Sequence, residues 1–192
     1  MNEKIIEYKK LLRREMRARR KSLTEIERQT FSNEIVKKFL AQEIYQSSKI
    51  IMAYVSMTEE VQLQKIFVDA LNSKKILVVP LIIGKGEMCA VEVPNFDALE
   101  MGEFGILTVR ADLRKIIEPE KINCVIVPGA AFDLKFNRLG LGGGYYDKFL
   151  PRAVNAKKIA LAYDFQIVDA VPNEPHDFKV DMIITEKRIV KI

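Results

Sequence analysis

The sequence predicts a single α/β domain: a mostly parallel sheet with helices over both of its faces. Three observations carry that expectation. Short apolar runs of strand length alternate along the chain with segments of helical periodicity. The 192 residues, 48% hydrophobic and 30% charged, suit one globular unit with a sizeable core. No repeat, low-complexity stretch or compositional shift marks a linker, so residues 1–192 read as one domain.

Residues 3–20 open the chain as a helix. Ile5, Tyr8, Leu12 and Met16 recur at i+3/i+4 as one apolar stripe, and Lys9, Arg13 and Arg17 stack beside it. Thr24-Glu25-Ile26-Glu27 has the form of a capping box, which starts a second helix with Phe31, Ile35 and Phe39 facing inward. Residues 49–55 are a buried strand, Val61 to Leu71 has helical spacing, and Ile76 to Pro80 is a second strand. Met88 to Val93 forms a third strand that Pro94 ends. Residues 95–121 read as loop. Residues 122–127 are a strand ending at Pro128-Gly129, residues 143–153 are helical, and residues 158–163 and 180–184 complete the strands.

Charge is distributed unevenly. The net charge is +5, yet residues 1–21 hold nine Lys/Arg against three Glu, so the other 171 residues are close to neutral. A basic helix can bind phosphates non-specifically, but this one carries a single Tyr and nothing beyond it extends a basic surface; nucleic acid is not an expected partner. No apolar run approaches the roughly 20 residues of a membrane helix. The N-terminus lacks a signal-peptide core, and Glu3, Glu7 and Glu15 interrupt its basic run, unlike a transit peptide. The expectation is a cytoplasmic protein with no membrane partner. Cys89 and Cys124 lie far apart, outside any CxxC, and read as two reduced, buried thiols. The single histidine, His176, excludes a His-rich metal site.

Four of nine glycines fall within five positions, Gly140, Gly142, Gly143 and Gly144. They sit in 137–147, Asn-Arg-Leu-Gly-Leu-Gly-Gly-Gly-Tyr-Tyr-Asp, after a buried strand and before a helix. Ligands bind at the carboxyl ends of strands in open α/β sheets, glycine lets backbone N–H groups approach an anion, and a helix start adds positive potential. Arg138 offers a bidentate phosphate fork and Asp147 an oxygen suited to Mg²⁺. The string is neither a Walker A motif nor a G-x-G-x-x-G fingerprint. On chemistry alone it fits an anion-binding turn or a purely structural glycine turn.

The longer pattern is more specific. Residues 128–133, Pro-Gly-Ala-Ala-Phe-Asp, followed by 137–140 and by 142–147, closely resemble the signature of the 5-formyltetrahydrofolate cyclo-ligase family. The basic first helix ending in Arg-Lys-Ser-Leu-Thr, the 54–61 segment, Val78-Val79-Pro80 and Lys179-Val180-Asp181 are similar to other family elements in order and spacing. Two departures stand out. Leu81 follows the strand proline where family members often have a basic residue, and Gly105-Ile106-Leu107 runs into Thr108-Val109 where many bacterial members have Glu-Pro.

The resemblance implies a three-layer, Rossmann-like α/β/α fold related to sugar-phosphate isomerases and CoA transferases. It implies ATP- and Mg²⁺-dependent cyclisation of 5-formyltetrahydrofolate, in mono- or polyglutamylated form, by a monomer. ATP contacts are implied for Lys9, Lys10, Leu11, Leu12 and Arg13, where a solvated basic face is the plain alternative. They are implied too for Arg138, Leu139, Gly140, Leu141, Gly142, Gly143, Gly144, Tyr145 and Tyr146. Folate contacts are implied for Val55, Glu60, Leu141 to Gly144 and Tyr145, with Arg138 and Tyr145 as catalytic groups. Asp147 and Asp181 are implied as metal ligands; the alternatives are a helix-start carboxylate and a turn former. His176 is read as surface or structural. The competing readings are a folate-binding paralogue without turnover and another enzyme on the same scaffold.

Overall fold

The computed structural model of the chain describes residues 3–102, 107–174 and 177–192. His176 and the turn at Gly105-Ile106 lie outside the described residues. The helices are α1 (Glu3–Ser22), α2 (Glu25–Leu40), α3 (Glu43–Ser47), α4 (Gln64–Asn72) and α5 (Tyr145–Phe149). The first strands are β1 (Ile50–Met52), β2 (Ile76–Gly84), β3 (Glu87–Glu92), β4 (Leu99–Met101), β5 (Leu107–Val109) and β6 (Ile116–Ile117). The rest are β7 (Cys124–Ile126), β8 (Ala131–Asp133), β9 (Arg138–Leu139), β10 (Lys157–Leu161), β11 (Ile167–Val168), β12 (Met182–Ile184) and β13 (Ile189–Lys191).

Among the described residues the main sheet has eight strands in the order β13-β12-β10-β7-β1-β2-β3-β6. Its centre, β12 through β2, is parallel, and β13, β3 and β6 add antiparallel edges. Because side chains alternate across a strand, each central strand feeds two cores. Ile51, Leu77, Val79, Cys124 and Ile126 face the layer built by α2 and α4, with Ile35, Phe39 and Ile66. Met52, Val78, Val125 and Ala160 face the opposite layer with Phe149, Leu150 and Ala153. That arrangement is the three-layer α/β/α fold the sequence predicts.

A smaller sheet, β11-β8-β9, receives α1. Leu12 and Met16 pack on Ala130, Ala131 and Leu139. The buried stripe of α1 is Lys9, Leu12, Met16 and Arg20, so the expected stripe is displaced: Tyr8 is 51% exposed. The helix thus buries an apolar centre and a cation at each end. At Thr24 the capping box forms as read, with the Glu27 amide donating to Thr24 Oγ1 at 3.2 Å and the Thr24 amide to Glu27 Oε2 at 2.8 Å.

Several boundaries differ from the sequence reading. Residues 95–121 contain β4, β5 and β6, strands too short to show periodicity. The helix expected over 143–153 stops at Phe149, since Pro151 cannot sustain it. The small sheet was not expected at all, its strands being two or three residues long.

Candidate active site

The glycine segment is held from below by a carboxylate that the sequence reading passed over. Asp133, 1% exposed, accepts the amides of Lys135, Asn137 and Val171 and the Asn137 side-chain amide, at 2.8 to 3.0 Å. These bonds set the turn into β9, with Phe136 at φ 63°, and launch Arg138 into the interior. The Arg138 side chain is only 2% exposed. Its Nη1 donates to the Pro128 carbonyl at 3.3 Å, and its Nη2 pairs with Asp147 Oδ1. The Phe178 amide reaches the same Oδ1 at 3.3 Å.

The loop beyond Arg138 needs glycine for specific reasons. Gly142 and Gly144 take φ of 110° and 70°, the left-handed region that other residues adopt at a cost. A Cβ on Gly143 would lie 2.6 Å from the Tyr145 ring, and one on Gly140 would lie 2.8 Å from Arg138 Nη1.

This loop is the common wall of two cavities. The larger, of about 720 Å³, opens at the carboxyl ends of β1 and β7 and along β2. Val55, Glu60, Arg138, Leu141, Gly143, Tyr145 and Tyr146 line it. The smaller, of about 490 Å³, is lined by Lys9, Arg13, Leu139, Gly142 and Lys148. Gly140, Gly144 and Asp147 line both.

Polar atoms in the larger cavity lack internal partners. Among the described residues, Arg138 Nε, Tyr146 Oη and Thr108 Oγ1 are buried with no hydrogen bond. Glu60 is 6% exposed; Met57 donates its amide to Oε2 at 3.0 Å, and Arg20 Nη1 stands 3.6 Å from Oε1. Burial raises the Glu60 pKa, while the Met57 amide and Arg20 oppose that rise. The Tyr54 and Tyr146 phenols are pushed up by burial and stay protonated donors.

Helix α1 contributes to the smaller cavity one turn apart. Lys9 Nζ bonds Glu174 at 2.8 Å and Asp177 at 2.6 Å, and Arg13 Nε donates to the Gly140 carbonyl at 2.8 Å. Of the block expected at 9–13, the smaller cavity takes its lining from Lys9 and Arg13. Lys10 and Leu11 are exposed and Leu12 is buried against the small sheet; none of the three lines either cavity. The other expected metal ligand, Asp181, stands apart from both cavities. It stands at the amino end of β12, where Oδ2 accepts the Lys158 amide at 2.7 Å, and it lines neither cavity. Asp181 thus stands outside both cavities, whereas Asp147 lines both.

Among the described residues no three His, Cys, Asp or Glu form a metal cluster. That still fits Mg²⁺, which takes one or two carboxylates and completes its shell with water and phosphate oxygens. Asp147, lining both cavities, is the carboxylate suited to it. Sequence reasoning missed Lys148, Thr108 and Arg114, all cavity-lining, and Arg20. Lys148 directly follows Asp147 in the helix start, and Arg20 continues the 9-12-16 spacing; both signals were present.

Comparison with known proteins bears on the family and on the overall fold. A family model described as the 5-formyltetrahydrofolate cyclo-ligase family matches residues 5–186. The chain is 30% identical over 196 residues to the mouse 5-formyltetrahydrofolate cyclo-ligase, covering 93% of each. It is 29% identical to the Mycoplasma genitalium enzyme of that name, covering 92% of this chain and 96% of the other. The solved structure of Aquifex aeolicus 5,10-methenyltetrahydrofolate synthetase superposes with a TM-score of 0.86 at 32% identity, covering 95% of this chain and 92% of that one. The Mycoplasma pneumoniae synthetase gives 0.76 at 26%, covering 93% and 98%.

Proposed function

Because the chain belongs to the 5-formyltetrahydrofolate cyclo-ligase family, we propose that it closes 5-formyltetrahydrofolate to 5,10-methenyltetrahydrofolate at the expense of ATP. One observation carries the reading: the loop Gly140–Gly144 separates a large, mostly apolar cavity from a smaller, charged one lined by Lys9, Arg13 and Lys148 together with Asp147, Glu174 and Asp177. A reduced folate suits the first and a triphosphate the second, with the reacting groups meeting at the shared wall.

A formamide oxygen is a poor leaving group, so the reaction must first convert it into a good one. The formyl oxygen attacks the γ-phosphorus, a P–O bond forms, and the β,γ-bridging oxygen leaves with its electron pair as ADP. N10 then attacks the activated carbon and forms the second C–N bond. Loss of the N10 proton and departure of phosphate with the C–O pair complete the methenyl cation.

Positioning and charge stabilisation supply most of the catalysis in phosphoryl transfer. Arg138 places its guanidinium at the wall, where charge on the transferring phosphoryl develops. The loop amides cradle the phosphates, and Lys9, Arg13 and Lys148 neutralise them. Asp147 would hold magnesium together with phosphate oxygens, which spreads the charge of the nucleotide. Tyr145, pressed against Gly143 and lining the folate cavity, orients the reacting end, and Tyr146 offers it a buried hydroxyl. Glu60 accepts the N–H edge of the pterin, and Val55 packs beside it.

The basic first helix needs no nucleic-acid partner in this reading. Lys9, Arg13, Arg17, Arg19 and Arg20 all have partners within the chain. We take the protein to act as a cytoplasmic monomer on mono- or polyglutamylated substrate. Purified protein given Mg²⁺, ATP and 5-formyltetrahydrofolate should yield methenyltetrahydrofolate, read by its near-ultraviolet absorbance after acidification, with stoichiometric ADP. No product under those conditions would refute the proposal.

A further inference from the structure

Helix α1 carries a buried cation at each end of its inward stripe, and only one of them faces the nucleotide cavity. Lys9 lines that cavity; Arg20, eleven residues on, lies about 16 Å further along the axis and lines neither cavity. Its side chain is 6% exposed and is directed at Glu60, whose side chain is 7% exposed. We propose that Arg20 is a positioning residue of the folate site: it holds the Glu60 carboxylate ionised and aimed at the cavity, and ties pterin recognition to the helix that bears Lys9 and Arg13. This rests on the reading of Glu60 as the pterin contact.

The geometry around Glu60 leaves its carboxylate dependent on Arg20. The Glu60 carbonyl accepts the Tyr163 hydroxyl at 2.9 Å and the Gln62 amide at 2.7 Å, so its backbone is fixed. One carboxylate oxygen is held by the Met57 amide and the other faces Arg20. Arg20 is the cation that acts on Glu60 directly, while Arg138 acts on the neighbouring Tyr146. Tyr54, Tyr146 on α5 and Tyr163 are phenols whose pKa values all lie above the ordinary one. Glu59 opposes ionisation and is itself drawn to Arg17 at 3.8 Å. Arg28 of α2 acts on Tyr163.

A pterin edge presents two N–H donors, so it pairs with a carboxylate and poorly with a neutral carboxyl, which keeps a proton of its own. Burial drives Glu60 toward that neutral form. Arg20 Nε, buried and without a hydrogen-bond partner among the described residues, leaves the guanidinium a second donor with which to tighten on Glu60 once substrate is seated.

The test is KM for 5-formyltetrahydrofolate and for MgATP from pH 6 to 9 in wild type, Arg20→Gln, Arg20→Lys, Glu60→Gln and the Arg20→Gln/Glu60→Gln pair. Each unit by which the Glu60 pKa rises cuts its ionised fraction about tenfold at lower pH. Arg20→Gln should therefore raise the formylfolate KM most at the acid end of that range, with the gap narrowing toward pH 9 and the MgATP KM within about twofold of wild type. In the pair, Arg20→Gln should add nothing to Glu60→Gln. If Arg20→Gln does not fold, Arg20→Lys carries the test, with a smaller rise of the same pH slope. A pH-independent rise in both KM values, or a flat wild-type KM in Arg20→Lys, overturns the inference. Glu60→Gln raising the formylfolate KM while Arg20→Gln does not overturns it alone. An unchanged KM in Glu60→Gln removes the pterin reading beneath it.

Discussion

Arg138 and Asp147 grip each other across the glycine loop, nine residues apart, and Asp147 lines both cavities from that position. The ion pair closes the loop at its two ends. A nucleotide with magnesium would compete for both partners, since the phosphoryl group attracts the guanidinium and the metal attracts the carboxylate.

Arg138→Ala is expected to lower kcat by about 100-fold or more, the order seen when a charge-stabilising donor is removed, with far-ultraviolet circular dichroism unchanged. Asp147→Asn should raise the Mg²⁺ concentration needed for half-maximal rate. Asp181→Asn serves as the control: it lines neither cavity, so its Mg²⁺ requirement should match wild type. A raised requirement in Asp181→Asn would contradict the assignment of Asp147 as the magnesium carboxylate.

The glycines should separate by mechanism. At Gly144 nothing lies within 4 Å of an added Cβ, and only its φ of 70° resists substitution. Gly144→Asn, which tolerates the left-handed region, should keep activity within about threefold. Gly143→Ala must displace Tyr145 from 2.6 Å, and kcat should fall about tenfold or more. Steady-state kinetics of the two variants side by side decide the matter, and equal losses would show that space against Tyr145 is irrelevant.

Much of this was legible in the sequence, because its signals were periodic or concentrated. The parallel strands showed as apolar runs, the Thr24–Glu27 box set the start of α2, and the 138–147 string marked the loop. What the sequence hid was three-dimensional. Asp133 and Asn137 read as part of a signature, yet their work is to hold the turn that aims Arg138. Within the stretch 9–13 a helix turns residues 10 and 11 away from the face of 9 and 13, and Leu12 shares the buried stripe with Lys9 but packs on the small sheet. Asp181 resembled a second metal position of the family or a turn former, and only the structure shows that it caps the Lys158 amide outside both cavities. Short strands such as β8 and β9 exist through tertiary contacts with α1, not through local propensity.

The helical face of α1 yields a paired expectation. Lys9, buried and in the smaller cavity, should matter for the nucleotide, whereas Lys10 points to solvent. Lys9→Ala is expected to raise the MgATP KM about tenfold, the scale of one charge-assisted phosphate contact, with the formylfolate KM little changed. Lys10→Ala should stay within about twofold of wild type in both constants. Isothermal titration with a non-hydrolysable ATP analogue checks the ranking directly, and equal affinities for the two variants would count against the nucleotide reading of the smaller cavity.

Neither cysteine should take part in the reaction. Burial, aided slightly by the Asp181 carboxylate, pushes the Cys124 thiol up to about 12, and burial also raises Cys89. The thiolate is the reactive form, and for a thiol titrating four units above pH 8 only about one molecule in ten thousand carries it. Iodoacetamide at pH 8 should thus leave turnover unchanged over the minutes in which a model thiol is consumed. The same reagent should modify both cysteines once the chain is unfolded in guanidinium. Raising the pH toward 10 should speed native Cys89 alkylation first, because Cys89 is half-buried where Cys124 is fully buried. Mass spectrometry of the timed samples reads both sites, and rapid native modification of Cys124 at pH 8 would show that the core around β7 is far more open than its packing implies.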